Sequence, residues 1–329
     1  MIDSQGLPKW LLASTIGYYT ESIVSCLVSE AVAEALKRFN SADSREAKRL
    51  FHGRGMCYPG YEQLVVNWFP PYLQVVTYDE GLRSSDRQSM NALFDEVQIA
   101  EGLVLQTRQG RKISNEILLG HVPGKHITKE LGQKYWVRLL ENQNVGLFLD
   151  MGHVREWLAP KVKNKKVLNL FAYTCAFSVS ALVNGAESVV NIDMSKNAID
   201  WGKENHQLND LDLSRTRMLS HNIFRSWRKI KQLGRYDVII IDPPTNQRGS
   251  FNAEKHYGQI LKRLPDFAER GAVIVACLNS PFLGSDFIVN QMARWCPACR
   301  FDELLDPHPD FPDLYPERGL KVLSFSYEG

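Results

Sequence analysis

Apolar residues along this chain change period twice, and the changes divide it into three textures. In Glu21–Phe39 they recur three and four apart, which predicts an amphipathic helix and a small helical module over residues 1–57. The turn formers of Cys57-Tyr-Pro-Gly-Tyr61 close that module. Strand-like runs follow at Leu64–Phe69 and Tyr72–Tyr78, joined by two prolines, then a polar helix over 85–97 and strands at Gly102–Gln106 and Tyr135–Leu140. Residues 58–145 therefore read as a central α/β module.

From residue 146 to 329 the rhythm becomes strand, helix, strand, helix. Strands are predicted at Val167–Phe171 and Ser188–Asp193, with helices over 176–184 and 196–208. Asp237-Val-Ile-Ile-Ile-Asp242 and Ala272-Val-Ile-Val-Ala-Cys277 are nearly unbroken apolar runs, as central parallel strands covered on both faces require. This alternation implies a doubly wound α/β fold whose ligands meet the carboxyl ends of the strands.

Two clusters sit at such ends. Asn169-Leu-Phe-Ala-Tyr-Thr-Cys-Ala-Phe-Ser178 joins the first strand to its helix, and Asp193 ends the next strand, within reach of ribose hydroxyls. On this cluster alone a nucleotide cradle and an ordinary turn with a surface carboxylate stand level, and no G-x-G-x-x-G is present to favour a dinucleotide. The second cluster, Asp242-Pro-Pro-Thr245, has two residues without N–H groups, so its carbonyls only accept. Such a fence suits the amino group of a nucleic-acid base.

Gly146-Leu-Phe-Leu-Asp150, Val167–Thr174, Asn191-Ile-Asp-Met-Ser195, Ile240–Thr245 and Tyr315–Lys321 together resemble, in order, the motifs of bacterial large-subunit (23S) ribosomal RNA methyltransferases of the cytosine-C5 and guanine-N7 subfamily. The likeness is clearest over 146–329 and weaker over the central module. Residues 1–57 match neither RNA-binding domain expected of some relatives. The resemblance implies a class I, Rossmann-like methyltransferase with a seven-stranded, mostly parallel sheet whose last strand is antiparallel, using S-adenosylmethionine as cofactor.

Carried over by motif, Phe171, Ala172, Tyr173 and Thr174 would surround the methionine part, Asp193 would hold the ribose, and Met194 would lie on the adenine. Asn222 would face the adenine amino group with Ile223 beside it, Phe148 and Asp150 would close the pocket, and Asp242 would lie near the sulfonium. Pro243, Pro244, Thr245 and Asn279 would border the target base. Three positions depart from the pattern: Cys175 for a glycine, Asn222 for an aspartate and Gly152 for an arginine. They keep a catalytically degenerate SAM- or RNA-binding protein of the same fold as the alternative.

Cytosine C5 chemistry needs a cysteine nucleophile. The resemblance puts Asn279 at its place, with Cys277 two residues earlier as a core thiol, and the lean is towards a guanine nitrogen. Net charge is only +2, so RNA contact must come from a local basic face, with 225–235 and 160–166 the richest stretches. Six scattered cysteines, no apolar run of membrane-spanning length and no basic-then-apolar leader point to a cytoplasmic protein with reduced thiols, monomeric or homodimeric. Cys296-Pro-Ala-Cys299 lacks a second ligand pair and reads as structural, with no metal site.

Overall fold

The computed structural model describes residues 31–40, 44–82, 84–110, 112–141, 143–244, 246–247 and 251–329. Residues 31–40 form helix α1, the end of the helix expected over 21–39, whose earlier part lies outside the described residues.

A five-stranded sheet follows, in the order β1 (Lys48–His52), β2 (Leu64–Phe69), β3 (Tyr72–Thr77), β4 (Gly102–Gln109), β5 (Lys112–Gly120). All neighbours are antiparallel except β3 and β4, which run parallel because helix α2 (Ser84–Glu96) carries the chain across between them. Ala31 and Ala35 of α1 and Met90 and Leu93 of α2 bury against Leu50, Val66 and Val75. The edge expected at residue 57 thus falls between two hydrogen-bonded strands, since Lys48 of β1 pairs with Trp68 of β2.

A hairpin, β6 (His126–Glu130) and β7 (Gln133–Val137), lies between this sheet and the next. Its outer edge is held by helix α5 (Lys196–Leu208). Trp136 N–H donates to Asn205 Oδ1 at 2.9 Å, and the Trp201 indole N–H donates to Trp136 O at 3.0 Å.

The second sheet has seven strands: β8 (Lys166–Leu170), β9 (Ser188–Asp193), β10 (Thr216–Ser220), β11 (Tyr236–Ile241), β14 (Ala268–Asn279), β15 (Cys299–Leu304) and β16 (Leu320–Tyr327). A short ribbon, β12 (Asn246–Gln247) with β13 (Phe251–Asn252), intervenes after β11. The spatial order is β10-β9-β8-β11-β14-β16-β15, and the last strand in sequence, β16, is antiparallel to both of its neighbours. Successive side chains of the apolar strands enter opposite cores: Leu168, Ile239, Ile241 and Ile274 one, Val167, Val238, Ile240 and Val275 the other. That is why these runs look continuous in sequence.

On one face pack α6 (Trp227–Gln232), α7 (Ala253–Leu261), α8 (Leu264–Phe267) and α9 (Ser285–Trp295). On the other lie α3 (Gly152–Leu158) and α4 (Ala176–Val183). The direction of winding reverses between β8 and β11, opening a crevice at their carboxyl ends. Among the described residues no helix is long and apolar enough to cross a membrane.

Candidate cofactor and methyl-transfer site

One cavity of about 660 Å³ occupies that crevice, within the roughly 300–1,000 Å³ typical of small-molecule sites. Every residue expected to touch the cofactor or the target base lines it, except Thr245, which lies outside the described residues. Phe171–Thr174 follow β8, Asp193 and Met194 end β9, Asn222 and Ile223 follow β10, Asp242–Pro244 follow β11, and Asn279 ends β14. Phe148 and Asp150 come from the segment before α3.

The turn after β8 has an unusual backbone. Phe171, Tyr173 and Cys175 have φ of 59°, 46° and 62°, the left-handed region that costs a side-chain-bearing residue about 1 kcal/mol or more. Its bonds offset that cost. Ala172 N–H donates to Ile192 O at 3.0 Å, Tyr173 N–H to Asp193 Oδ2 at 2.9 Å, and the Thr174 hydroxyl to Gly146 O at 2.6 Å. Asp193 Oδ1 also accepts from Ser195 N–H at 2.8 Å, so each carboxylate oxygen is positioned and keeps lone pairs for a sugar hydroxyl.

Cys175, which departs from a glycine of the pattern, does not crowd the cavity. Its side chain is fully buried and absent from the cavity wall, pointing beneath the turn towards Gly202 of α5 and the Met218 sulfur, 4.0 Å away. A Cβ on Gly202 would stand 2.9 Å from Cys175 Cβ, so the missing side chain there makes room for the thiol. Burial pushes that thiol well above its ordinary range, with Asp193 adding to the rise.

Below the turn runs a buried polar chain. Asn169 Nδ2 donates to Asn191 Oδ1 at 2.9 Å, and Asn191 Nδ2 to Ser178 Oγ at 2.9 Å. Ser178 lies 2.8 Å from His206 Nε2, and His206 Nδ1 lies 2.7 Å from Gly202 O. Burial lowers the His206 pKa, opposed by the Gly202 carbonyl. A neutral ring donating from Nδ1 and accepting at Nε2 satisfies every link, so β8, β9, α4 and α5 are locked together under the cavity floor.

Asn222 caps the turn after β10, its Oδ1 accepting from Phe224 N–H at 2.9 Å. The amide oxygen keeps a second lone pair and the NH₂ group its two donors, so the side chain can both accept and donate.

At the other end stand two carboxyls. Recession from solvent pushes Asp242 up to about 7, with Asp150 adding to the rise and Arg155 opposing it. Asp150 is likewise raised by burial, against Arg49 and Arg155. Arg155, in the same wall, is almost wholly buried. Its Nε and Nη2 each donate to the Glu130 carboxylate at 2.7 Å, and Nη2 to Phe148 O at 2.8 Å. Cavity-facing acid thus exceeds base, which favours a cation.

Sequence reasoning missed Arg155, Gln143, Asn144, Ser195, His221, Phe224 and Phe251, all in the wall. Arg155 carried a faint signal, one arginine among the apolar positions of α3, whereas Phe251 follows a segment with no periodicity.

Cys277 is buried beside β16, and its thiol is pushed well above its ordinary range by burial and by Asp242. Cys296 and Cys299 sulfurs are 3.4 Å apart as free thiols between α9 and β15. No metal-binding group occurs among the described residues.

A strand order of this kind, with one antiparallel strand at the far side and an acidic cavity spread across the strand ends, defines a class I methyltransferase. The chain belongs to the S-adenosylmethionine-dependent methyltransferase family, whose sequence profile matches residues 48–326. It is 35% identical over 162 residues to ribosomal RNA large subunit methyltransferase I of Aeromonas hydrophila, covering 48% of this chain and 41% of that protein. To the protein of the same name in Enterobacter sp. strain 638 it is 30% identical over 261 residues, or 76% of this chain and 65% of that one. The chain therefore spans less than two thirds of these relatives.

Among solved structures, SMU.776 in complex with SAH has a TM-score of 0.79 at 23% identity, covering 91% of this chain and 81% of its own. The SAM-dependent methyltransferase of Agrobacterium tumefaciens has a TM-score of 0.64 at 22% identity, covering 81% and 87%. At such identities the likeness speaks for the fold.

Proposed function

We propose that this protein methylates a base of ribosomal RNA, with a guanine nitrogen as the acceptor. The observation that carries the reading is the pairing of a carboxylate-lined cavity with a rim that offers hydrogen-bond acceptors and, among the described residues, no cysteine nucleophile. S-adenosylmethionine bound in the cavity supplies an electrophilic methyl group on a cationic sulfur. Asp193 holds the ribose, Met194 and Ile223 flank the adenine, and the 171–174 turn cradles the methionine part. Asp150 and Asp242 stabilise positive charge at the far end.

Nitrogen as the target follows from Cys277 and Asn279. A C5 reaction needs a thiolate beside the base, whereas Cys277 is buried outside the cavity wall and its ionisation is suppressed. A ring or exocyclic nitrogen of guanine has its own lone pair and needs only alignment, which Asn279 and the Pro243 and Pro244 carbonyls can give. Phe282, three residues past Asn279 and 91% exposed, offers a face on which an unpaired base stacks. The reading places the protein on ribosomes in the cytoplasm.

Mass-spectrometric mapping of ribosomal RNA from cells with and without the gene tests this directly. The expected result is one methylguanine lost on deletion and restored by purified protein with S-adenosylmethionine. An unchanged map, or loss of 5-methylcytosine instead, would overturn the substrate assignment.

A further inference from the structure

The first sheet presents an arginine cluster at the edge of the cavity. Arg54, in the turn after β1, lies with its guanidinium 4.0 Å from the Tyr78 ring centre, and Arg108 of β4 lies 5.5 Å from the same ring. Arg49 of β1 stands 4.2 Å over Phe311. Among the described residues, none of these three has a carboxylate within ion-pair distance, although most other arginines of this half do, including Arg38 with Asp310 and Arg87 with Glu116.

The cluster adjoins the site through the backbone. Arg108 Nη2 donates to the carbonyl of Gln143, a wall residue, at 2.7 Å. Leu314 N–H donates to Gly55 O at 2.7 Å, tying the Arg54 turn to the segment that leads to Leu320, also in the wall.

Arg54 and Arg108 share one ring with no carboxylate of the described residues within ion-pair distance, whereas the buried Arg49 also feels Asp150 and Asp310. The field is felt nearby: His52 is pulled down to about 3, by burial first and then by Arg49, Arg54 and Arg38. The guanidinium forks differ in availability. Arg108 spends its N–H groups on Gln106, Tyr78 and Gln143, whereas Arg54 is exposed and has no hydrogen-bond partner among the described residues. A planar fork stacked on an aromatic ring and free at its edge matches a phosphate.

We propose that Arg54, stacked on Tyr78 and reinforced by the charges of Arg108 and Arg49, binds a backbone phosphate of the RNA strand whose target base enters the cavity. The inference rests on the RNA-methylation reading. A base that leaves its stack to reach Pro243 and Pro244 brings its flanking phosphates to the rim, where this cluster waits.

The test uses the full-length protein with Arg54→Ala, Arg54→Glu and Arg54→Lys. Binding of a short fluorescein-labelled single-stranded RNA of mixed sequence is followed by anisotropy across a potassium chloride series. S-adenosylmethionine affinity by calorimetry serves as the control for folding. Arg54→Ala is expected to weaken RNA binding about tenfold at low salt and to flatten the log–log salt slope by about 0.7, one phosphate contact on a single strand. Arg54→Glu should weaken it further, and Arg54→Lys should keep the slope while losing part of the affinity. S-adenosylmethionine binding should not change. If the wild type binds and methylates RNA while Arg54→Ala and Arg54→Glu match its affinity and slope, the cluster is only a strap between the sheets and the proposal fails. A wild type that binds cofactor but no RNA sinks the RNA reading, and this proposal with it.

Discussion

In the proposed site, Asp242 is one side chain that would tie cofactor affinity to pH. Its carboxyl, pushed up to about 7, is half protonated in the empty cavity near neutrality. A sulfonium beside it favours the ionised form, so binding below that pH must expel a proton. S-adenosylmethionine is expected to bind about tenfold more weakly one unit below 7 than one unit above it. S-adenosylhomocysteine, which lacks the sulfonium charge, should show little change. Calorimetry with both ligands, on wild type and Asp242→Asn, measures this, and equal pH profiles for the two ligands would remove Asp242 from the sulfonium. The stability linkage runs the other way. A carboxyl raised on folding binds more protons folded than unfolded, so its contribution falls as pH climbs from the ordinary carboxylate range towards 7. Asp242→Asn should therefore raise the melting temperature of the cofactor-free protein at alkaline pH and leave it nearly unchanged in acid.

Between elements, the tightest dependency is that of the β8–α4 turn on α5. Gly202 has no side chain because Cys175 fills the space, and Cys175 points there because its left-handed backbone aims it under the turn. Gly202→Ala is expected to cost about 1–3 kcal/mol through overpacking. It should also disturb cofactor binding by displacing the turn. Adding Cys175→Gly to that variant should recover most of the loss. Thermal melts of the two single variants and the double variant decide the matter, because additive losses would mean the two positions do not share this space. This pairing also marks what a sequence hides. Cys175 was legible as a departure from a glycine pattern, but its direction was not, since the compensating residue lies 27 positions away on another helix. The strand at 188–193 was legible as a short apolar run and the helix at 196–208 by its 3.6-residue period, signals that survive without context. β7 was legible in part through Tyr135–Val137, whereas β5, with most of its side chains exposed, and β6, whose alternating buried positions are the polar His126, Thr128 and Glu130, carried no comparable apolar signal.

For the whole molecule, the parallel sheet sorts charge by end. The two basic stretches prominent in sequence do not share a location. Residues 160–166 precede β8 and so sit at the amino ends of the strands, away from the cavity, where Lys165 bonds Asp237 and Lys166 lies by Glu187. In 225–235 the chain starts at the cavity end with Arg225 and returns through α6, leaving Lys231 with Asp266 and Arg235 with Glu269 at the opposite end. Of the two stretches only the start of 225–235 thus lies at the cavity end, while Arg49, Arg54 and Arg108 are scattered singly through the first sheet. Lys163→Glu is accordingly expected to change RNA affinity by less than about twofold at physiological salt, where charges beyond about 8 Å are screened. A drop as large as that expected for Arg54→Ala would place RNA on both ends of the sheet.

The three left-handed residues between β8 and α4 bear on timing as well as shape. A glycine-rich segment wanders when empty and must be stilled each time a guest arrives. Here bulky side chains and anchoring amides remove that freedom during folding, so in the proposed site a nucleoside would find its seat built, and encounter more than local reshaping of the cradle is expected to set the pace of capture.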